Sequence, residues 1–269
     1  MSLLYQFEKG CVALRHSSLL KKAAPLWNLL RPVYDQLIRL TGKHGLVRNI
    51  NGNDPIMLSP ECRGLGEVYE PEVWSRVMNH IRPGSRVLDV GAHFGLYAMA
   101  FGHRVGPGGC VLAAEPDPQN LAILRKHITL NGLQSVVRVV PAALSDAPGQ
   151  ASLSMDSLQS HVSDHGSVAI TLSTLDAEAG EGQWDLLLID VEGHEEKVLS
   201  GGHDLLSDPA RRPSMIMIEV HPYAWADVGT SSASLLKELI SRGYIVNSLD
   251  GEPVTTITTY GHIVATTTR

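Results

Sequence analysis

Cysteine is scarce in this sequence. Cys11, Cys62 and Cys110 are the three in 269 residues, and no two of them form a CxxC pair. An odd, widely spaced set argues against a disulfide framework and against a zinc-thiolate site. A reducing, cytoplasmic setting is the plain expectation. Long apolar runs are missing too. None approaches the ~18 residues of a membrane span, so no transmembrane segment is expected. The opening Ser2-Leu3-Leu4-Tyr5-Gln6-Phe7 is interrupted at once by Glu8 and Lys9, which does not read as a secretory leader. Nor is positive charge in surplus: 22 Lys and Arg stand against 28 Asp and Glu, a formal net charge of -6. Bulk charge therefore does not suit a grip on nucleic acid, and no nucleic-acid partner is expected. Internal repeats and low-complexity tracts are also absent.

What is present begins with an uneven first fifth. Before about Gly52 the chain holds Lys9, Arg15, Lys21, Lys22, Arg31, Arg39, Lys43 and Arg48 against Glu8 and Asp35. Leu19, Leu20, Ala23, Leu26, Trp27, Leu30, Val33, Tyr34, Leu37, Ile38 and Leu40 recur at three- and four-residue spacing. That spacing predicts helices, divided or kinked at Pro25 and Pro32. Residues 1–52 thus read as a helical extension, a substrate lid or an oligomer contact through which two copies would pair. Its basic residues read as a solvated helix surface, or as a weak contact with an anionic partner or membrane surface. The turn cluster Asn51-Gly52-Asn53-Asp54-Pro55 reads as the linker to a main domain at 53–269.

A short strand is expected at 56–58 and an amphipathic helix at 67–81, built on Val68, Val73, Trp74, Val77, Met78 and Ile81. After Arg82-Pro83-Gly84 the pattern alternates. Strands are expected at 87–90, 110–114, 136–140, 184–190 and 215–219, and helices at 96–105 and 120–131. A polar, His-containing stretch at 145–166 reads as an excursion. The apolar runs do not alternate, as expected of parallel strands covered on both faces. Strand–helix units in this order predict a doubly wound sheet. A helix at 235–242, a strand at 244–249, Asp250-Gly251 and a β-rich run at 257–268 end the chain. Asp-Gly between two strands predicts a hairpin, so the last strand should run antiparallel. The expected fold is α/β: a doubly wound, mostly parallel seven-stranded sheet closed by one antiparallel strand.

Between the strand at 87–90 and the next helix stands Gly91-Ala92-His93-Phe94-Gly95. Glycine lets the backbone approach a ligand and take strained torsions, and a helix start presents free N–H groups to negative charge. The dinucleotide fingerprint is G-x-G-x-x-G. This loop is G-x-x-x-G, with His93 where the second glycine would stand. Asp89 is placed to anchor the loop amides or to meet a ligand's ammonium. The second strand ends in Glu115-Pro116, where a carboxylate suits the two hydroxyls of a ribose. Ala142-Ala143 end the third strand and are small enough to admit an adenine ring. Loop, acidic second strand and terminal hairpin together favour S-adenosylmethionine over NAD.

These stretches resemble the FkbM-type S-adenosylmethionine methyltransferases. The resemblance lies in Tyr69-Glu70-Pro71, Leu88-Asp89-Val90-Gly91-Ala92-His93-Phe94-Gly95, Glu115-Pro116, Asn131-Gly132-Leu133, Ala142-Ala143-Leu144-Ser145-Asp146, Thr174-Leu175-Asp176, Ile189-Asp190-Val191-Glu192-Gly193-His194-Glu195 and Glu219-Val220-His221. It implies a class I methyltransferase fold and, mostly, O-methylation of hydroxyls on natural products or sugars. It also implies that Tyr69 and Glu70 lie close to the cofactor. Ala114, where an aromatic residue is usual, and His93, where Asn is commoner, depart from the family pattern.

Ligands of open parallel sheets bind beyond the carboxyl ends of the strands. Asp190, Glu192, His194, Glu219 and His221 are therefore expected to converge there. Methylating a hydroxyl needs a proton acceptor. A histidine suits that role, His221 first and His194 second. The less favoured reading has Asp190, Glu219 and His221 hold a divalent metal such as Mg that acidifies the hydroxyl. His161 and His165 read as surface residues. The leading expectation is a small-molecule or sugar O-methyltransferase. A non-catalytic S-adenosylmethionine sensor and an NAD-dependent oxidoreductase are the alternatives.

Overall fold

A computed structural model describes residues 45–154, 161–163 and 168–267, together with Pro32. The expected helical extension with its kink at Pro25, the paired-copy contact, Cys11 and His165 lie outside the described residues. The chain divides into two compact units. Met1–Tyr69 with Thr129–Gly132 make one, and Glu70–Ile128 with Leu133–Arg269 make the other. No helix among the described residues is long and apolar enough to cross a membrane.

In the first unit β1 (Leu46–Ile50) pairs antiparallel with β2 (Asp54–Leu58). Asn51 at φ 49° and Gly52 at φ 81° supply the left-handed torsions of a tight hairpin turn. The cluster read from sequence as a linker is therefore the bend of a hairpin. Leu46, Ile50, Ile56 and Leu58 are buried. Arg48 is buried among them and spends its guanidinium on the carbonyls of Arg63 and Leu65. The Asn131 amide clamps Met57, donating to its carbonyl at 2.8 Å and accepting from its N–H at 3.0 Å. Asn51 clamps the backbone of Tyr69 in the same way, at 2.7 and 3.1 Å. Tyr69, expected near the cofactor, thus belongs to this unit.

The second unit opens with a helix at Pro71–His80, shorter than the expected 67–81. Glu70 has φ 37°, which no helix continues. Pro71 follows at the first helical position, where its missing N–H costs nothing. The strands are then β3 (Arg86–Val90), β4 (Cys110–Ala114), β5 (Val137–Val140), β6 (Ala143–Leu144), β7 (Gly149–Ser154), β8 (His161–Ser163), β9 (Val168–Ser173), β10 (Leu186–Ile189), β11 (Met215–Val220), β12 (Tyr244–Ser248) and β13 (Gly261–Thr267). Helices at Leu96–Val105 and Pro118–Leu130 connect β3 to β4 and β4 to β5.

The central sheet has seven strands in the order β12-β13-β11-β10-β3-β4-β5. β3 pairs parallel with β4 and β10, and β10 with β11, while β13 lies antiparallel between β11 and β12. This is the expected class I methyltransferase sheet. Its middle is dry: Val87, Leu88, Leu112, Leu187, Ile189, Ile216 and Ile218 are fully buried. Each such Leu or Ile contributes about 1.5–3 kcal/mol of apolar burial. The order reverses between β3 and β10, so the crevice for a ligand opens at Gly91 and Asp190.

Two connections differ from the expectation. Asp250-Gly251 does turn the chain, but its direct partner is not β13. Ser248 N–H reaches the carbonyl of Glu252 at 2.8 Å and Val254 N–H that of Val246 at 3.0 Å. The segment at 252–254 therefore returns along one edge of β12 through a single antiparallel bridge, Asn247 with Pro253, and β13 then pairs with the other edge. The excursion at 145–166 is not plain loop either. β6, β7, β8 and β9 form a four-stranded sheet in the order β6-β9-β7-β8. Its strands are mostly Ser, Thr, Gln and Ala around the buried Leu153 and Ile170. So little apolar alternation hides a strand from sequence reading. His161 lies in β8.

Candidate active site

The first half of the site is the loop after β3. Gly91 at φ 86° and Gly95 at φ 88° take torsions that suit glycine. A Cβ at Gly91 would stand 1.7 Å from the carbonyl oxygen of Asp190. This glycine is what lets β3 and β10 close at the crevice. Between the two glycines His93 has φ 52°, also left-handed. The position where a dinucleotide loop carries its middle glycine thus keeps a glycine-like backbone under a histidine side chain. Glu70, His93 and Glu192 account for three of the four non-glycine positive-φ residues described, and such strain gathers at functional sites.

The loop is anchored by Glu115, not by Asp89 as one expectation had it. Glu115 Oε2 accepts the N–H of His93 at 2.7 Å, and its Oε1 accepts that of Asp117 at 2.8 Å. The Ala114 carbonyl takes the N–H groups of Gly91 and Ala92 at 3.0 and 2.9 Å. Phe94 is held through its carbonyl, 2.7 Å from Nδ1 of the fully buried His127. Asp89 is 2% exposed, and its Oδ2 has no hydrogen-bond partner. Burial, and then the charge of Glu115, pushes its carboxyl up to about 7. An ionised, orphaned oxygen in that place is costly, and a ligand ammonium would satisfy it. Pro116 and Ala143 are half-buried, whereas Ala142 is packed into the core.

The second half stands at the ends of β10 and β11. His221 is 1% exposed. Its Nδ1 lies 2.7 Å from Glu195 Oε1, and its Nε2 faces Glu192 Oε2 at 3.4 Å, Asp190 Oδ1 at 3.9 Å and Glu219 Oε1 at 4.0 Å. Four of the five expected residues are thus brought together, namely Asp190, Glu192, Glu219 and His221. His194 is not among the ion-pair partners of His221. It is buried at the start of the helix Glu195–Ser200, with its carbonyl accepting from Val198 N–H.

The acid beside His194 does that work. Glu195 is fully buried and accepts from His221 Nδ1, from Trp225 Nε1 at 2.8 Å and from Gly193 N–H at 2.9 Å. Burial alone would raise its carboxyl, but these donors outweigh burial and hold it below the usual range. An ionised Glu195 accepts from Nδ1–H, so His221 in its neutral form would carry its lone pair on Nε2, the nitrogen that faces the other carboxylates. Burial also opposes charge on His221. The bond to Glu195 and the charges of Glu192, Glu195 and Asp190 reverse that and hold its pKa above the ordinary value. Asp190 is pushed up, by burial first and then by Glu219. Its side chain is still 43% exposed, so water tempers the push.

Three tyrosines and a second histidine complete the cluster. Tyr223 donates to Glu192 Oε2 at 2.9 Å, Tyr260 to Glu219, and Tyr97 to Glu70 Oε2 at 2.9 Å. The Tyr223 and Tyr260 rings lie 5.7 and 5.4 Å from the His221 ring. His262 Nε2 stands 3.6 Å from Glu219 Oε2 and 4.0 Å from Glu70 Oε2. Glu219 and His262 are cross-strand neighbours in the β11–β13 register. Two sets of ligand-type atoms result, Asp190–Glu219–His221 and Glu70–Glu219–His262, each within 4.8 Å of one another.

Comparison with known proteins finds methyltransferases. The sequence matches the Methyltransferase FkbM domain over residues 89–246. It is 26% identical over 219 residues to the 31-O-demethyl-FK506 methyltransferase FkbM of Streptomyces tacrolimicus, covering 67% of this chain and 80% of that protein. Among solved structures it is similar to a methyltransferase FkbM from Methylobacillus flagellatus, at TM-score 0.48 and 17% identity, over 69% of this chain and 44% of that one. It is also similar to an S-adenosylmethionine-dependent O-methyltransferase from Thermotoga maritima, at TM-score 0.46 and 15% identity, over 74% of this chain and 65% of that one. The chain thus spans less than two thirds of the length of either structure.

Proposed function

The chain belongs to the FkbM methyltransferase family, and on that premise we propose that it transfers a methyl group from S-adenosylmethionine to a hydroxyl of a small molecule, sugar or natural product. The observation that carries the hydroxyl is His221, a buried imidazole whose Nδ1 is held by Glu195 and whose Nε2 faces Asp190, Glu192 and Glu219. The name of the Streptomyces relative, which describes a 31-O-demethyl compound, supports the same acceptor chemistry.

When bound, S-adenosylmethionine supplies a methyl group made electrophilic by its sulfonium. The residues present fit it. Asp89 offers an unsatisfied buried oxygen to the ammonium. Gly91, Ala92, His93, Phe94 and Gly95 form the loop that receives the methionyl part. Glu115, beside Pro116, keeps lone pairs for ribose hydroxyls after accepting its backbone donors. Glu70 and Asp190 stand at the mouth. His221 then accepts the acceptor's proton at Nε2. Glu195 fixes the tautomer and stabilises the imidazolium, while Asp190, Glu192 and Glu219 surround the new charge.

Calorimetry tests the cofactor. S-adenosylmethionine and S-adenosylhomocysteine are expected to bind and NADH not to. Binding of NADH without binding of S-adenosylmethionine would sink the proposal. A Glu195→Gln variant tests the orientation of the base. A neutral amide at that position is expected to lower kcat by roughly 10²-fold or more, because it no longer fixes which nitrogen carries the proton. S-adenosylmethionine affinity should stay within a few-fold. An unchanged kcat would remove Glu195 from the mechanism, and a sensor protein would show cofactor binding with no turnover in either form.

A further inference from the structure

We propose that Asp190, Glu219 and His221 also form a binding site for one divalent transition-metal ion, and that the ion and the acceptor's proton compete for the same lone pair. The geometry is close to what an ion needs. Ligand atoms about 2.0–2.2 Å from a common ion stand roughly 3–4.3 Å from one another. Here His221 Nε2 is 3.9 Å from Asp190 Oδ1 and 4.0 Å from Glu219 Oε1. All three ligand atoms lie within 4.8 Å of one another.

The carboxylates alone would not make this a site. The decisive atom is His221 Nε2. It belongs to a side chain 1% exposed and faces the carboxylates of Glu192, Asp190 and Glu219 at 3.4, 3.9 and 4.0 Å. Its other nitrogen already has the partner that metal-bound histidines usually have, a carboxylate that takes Nδ1–H and orients the ring. Among the described residues, every ion pair made by Glu70, Asp190, Glu192, Glu195 and Glu219 is with an imidazole. A dication would balance that surplus of negative charge. One imidazole with two carboxylates suits Mn²⁺ or Zn²⁺. The neighbouring set Glu70–Glu219–His262 shares Glu219 with it but contains no histidine as buried as His221.

The consequence for activity rests on His221 being the base; the site itself does not. An ion on Nε2 leaves no lone pair for the acceptor's proton, so occupancy and turnover should oppose each other.

The test is a titration of the full chain with manganous chloride, reading free Mn²⁺ by electron paramagnetic resonance. His221→Ala, Glu219→Gln and His262→Gln are run in parallel, with circular dichroism to confirm folding. The expected result is one ion per chain, bound about tenfold or more weakly in the first two variants and unchanged in the third. Glu219→Gln keeps the side-chain volume, so a loss there does not reflect a cavity. No saturable binding, or equal binding by His221→Ala, overturns the site. A loaded enzyme is expected to turn over about tenfold more slowly or worse. A loaded enzyme that turns over faster would instead overturn His221 as base, while the binding curve leaves the site standing.

Discussion

Replacing His221 by alanine is expected to lower turnover by roughly 10²- to 10⁴-fold, the usual scale for loss of a general base. S-adenosylmethionine affinity should stay within a few-fold. His221 is nearly absent from the surface, and its Nε2 faces Asp190, Glu192 and Glu219. The loop proposed to receive the cofactor is held by Glu115 and the Ala114 carbonyl, and His221 by Glu195. Binding and chemistry should therefore separate in this variant. Steady-state kinetics with calorimetry on the same preparation checks it. Equal losses in affinity and turnover would place His221 in the cofactor site, and unchanged turnover would remove it from the mechanism.

Gly91→Ala is expected to be the most damaging single substitution in the loop. The added Cβ would fall 1.7 Å from the Asp190 carbonyl oxygen, a backbone atom that cannot rotate away. The left-handed torsion at φ 86° adds about 1–2 kcal/mol for a residue with a Cβ. Overpacking adds about 1–3 kcal/mol more. The ends of β3 and β10 would have to part, and Asp190 would move with them. Gly95→Ala is the internal comparison. Its torsion is equally left-handed, but its Cβ would meet Leu124 Cδ1, the far end of a flexible side chain. Denaturant midpoints should fall further for Gly91→Ala than for Gly95→Ala, and cofactor affinity should fall with them. Equal midpoints would show that the two strand ends separate without cost.

Much of the sheet was legible because its causes are local. Leu186–Ile189 and Met215–Val220 are unbroken apolar runs, and such runs belong to strands covered on both faces. Gly91 and Gly95 frame a left-handed loop where the sequence places them. The small sheet built on β7 and β9 was not legible, since Ser, Thr and Gln carry almost no alternation.

By itself the sequence determined the fold class, the glycine-framed loop after β3 and the meeting of Asp190, Glu192, Glu219 and His221, which follow from periodicity, glycine spacing and strand ends. Which acid serves which partner was decided only by the tertiary structure. Glu195 turns inward to His221 because Trp225 Nε1 and Gly193 N–H meet it there. Glu115 holds the loop because β4 stops level with β3. His262 reaches Glu219 because β13 inserts antiparallel between β11 and β12 and sets those two residues opposite each other. The physical reason is the same in each case. Hydrogen-bond partners and cross-strand register depend on distances between segments far apart in the chain, and no local pattern of residue types encodes them.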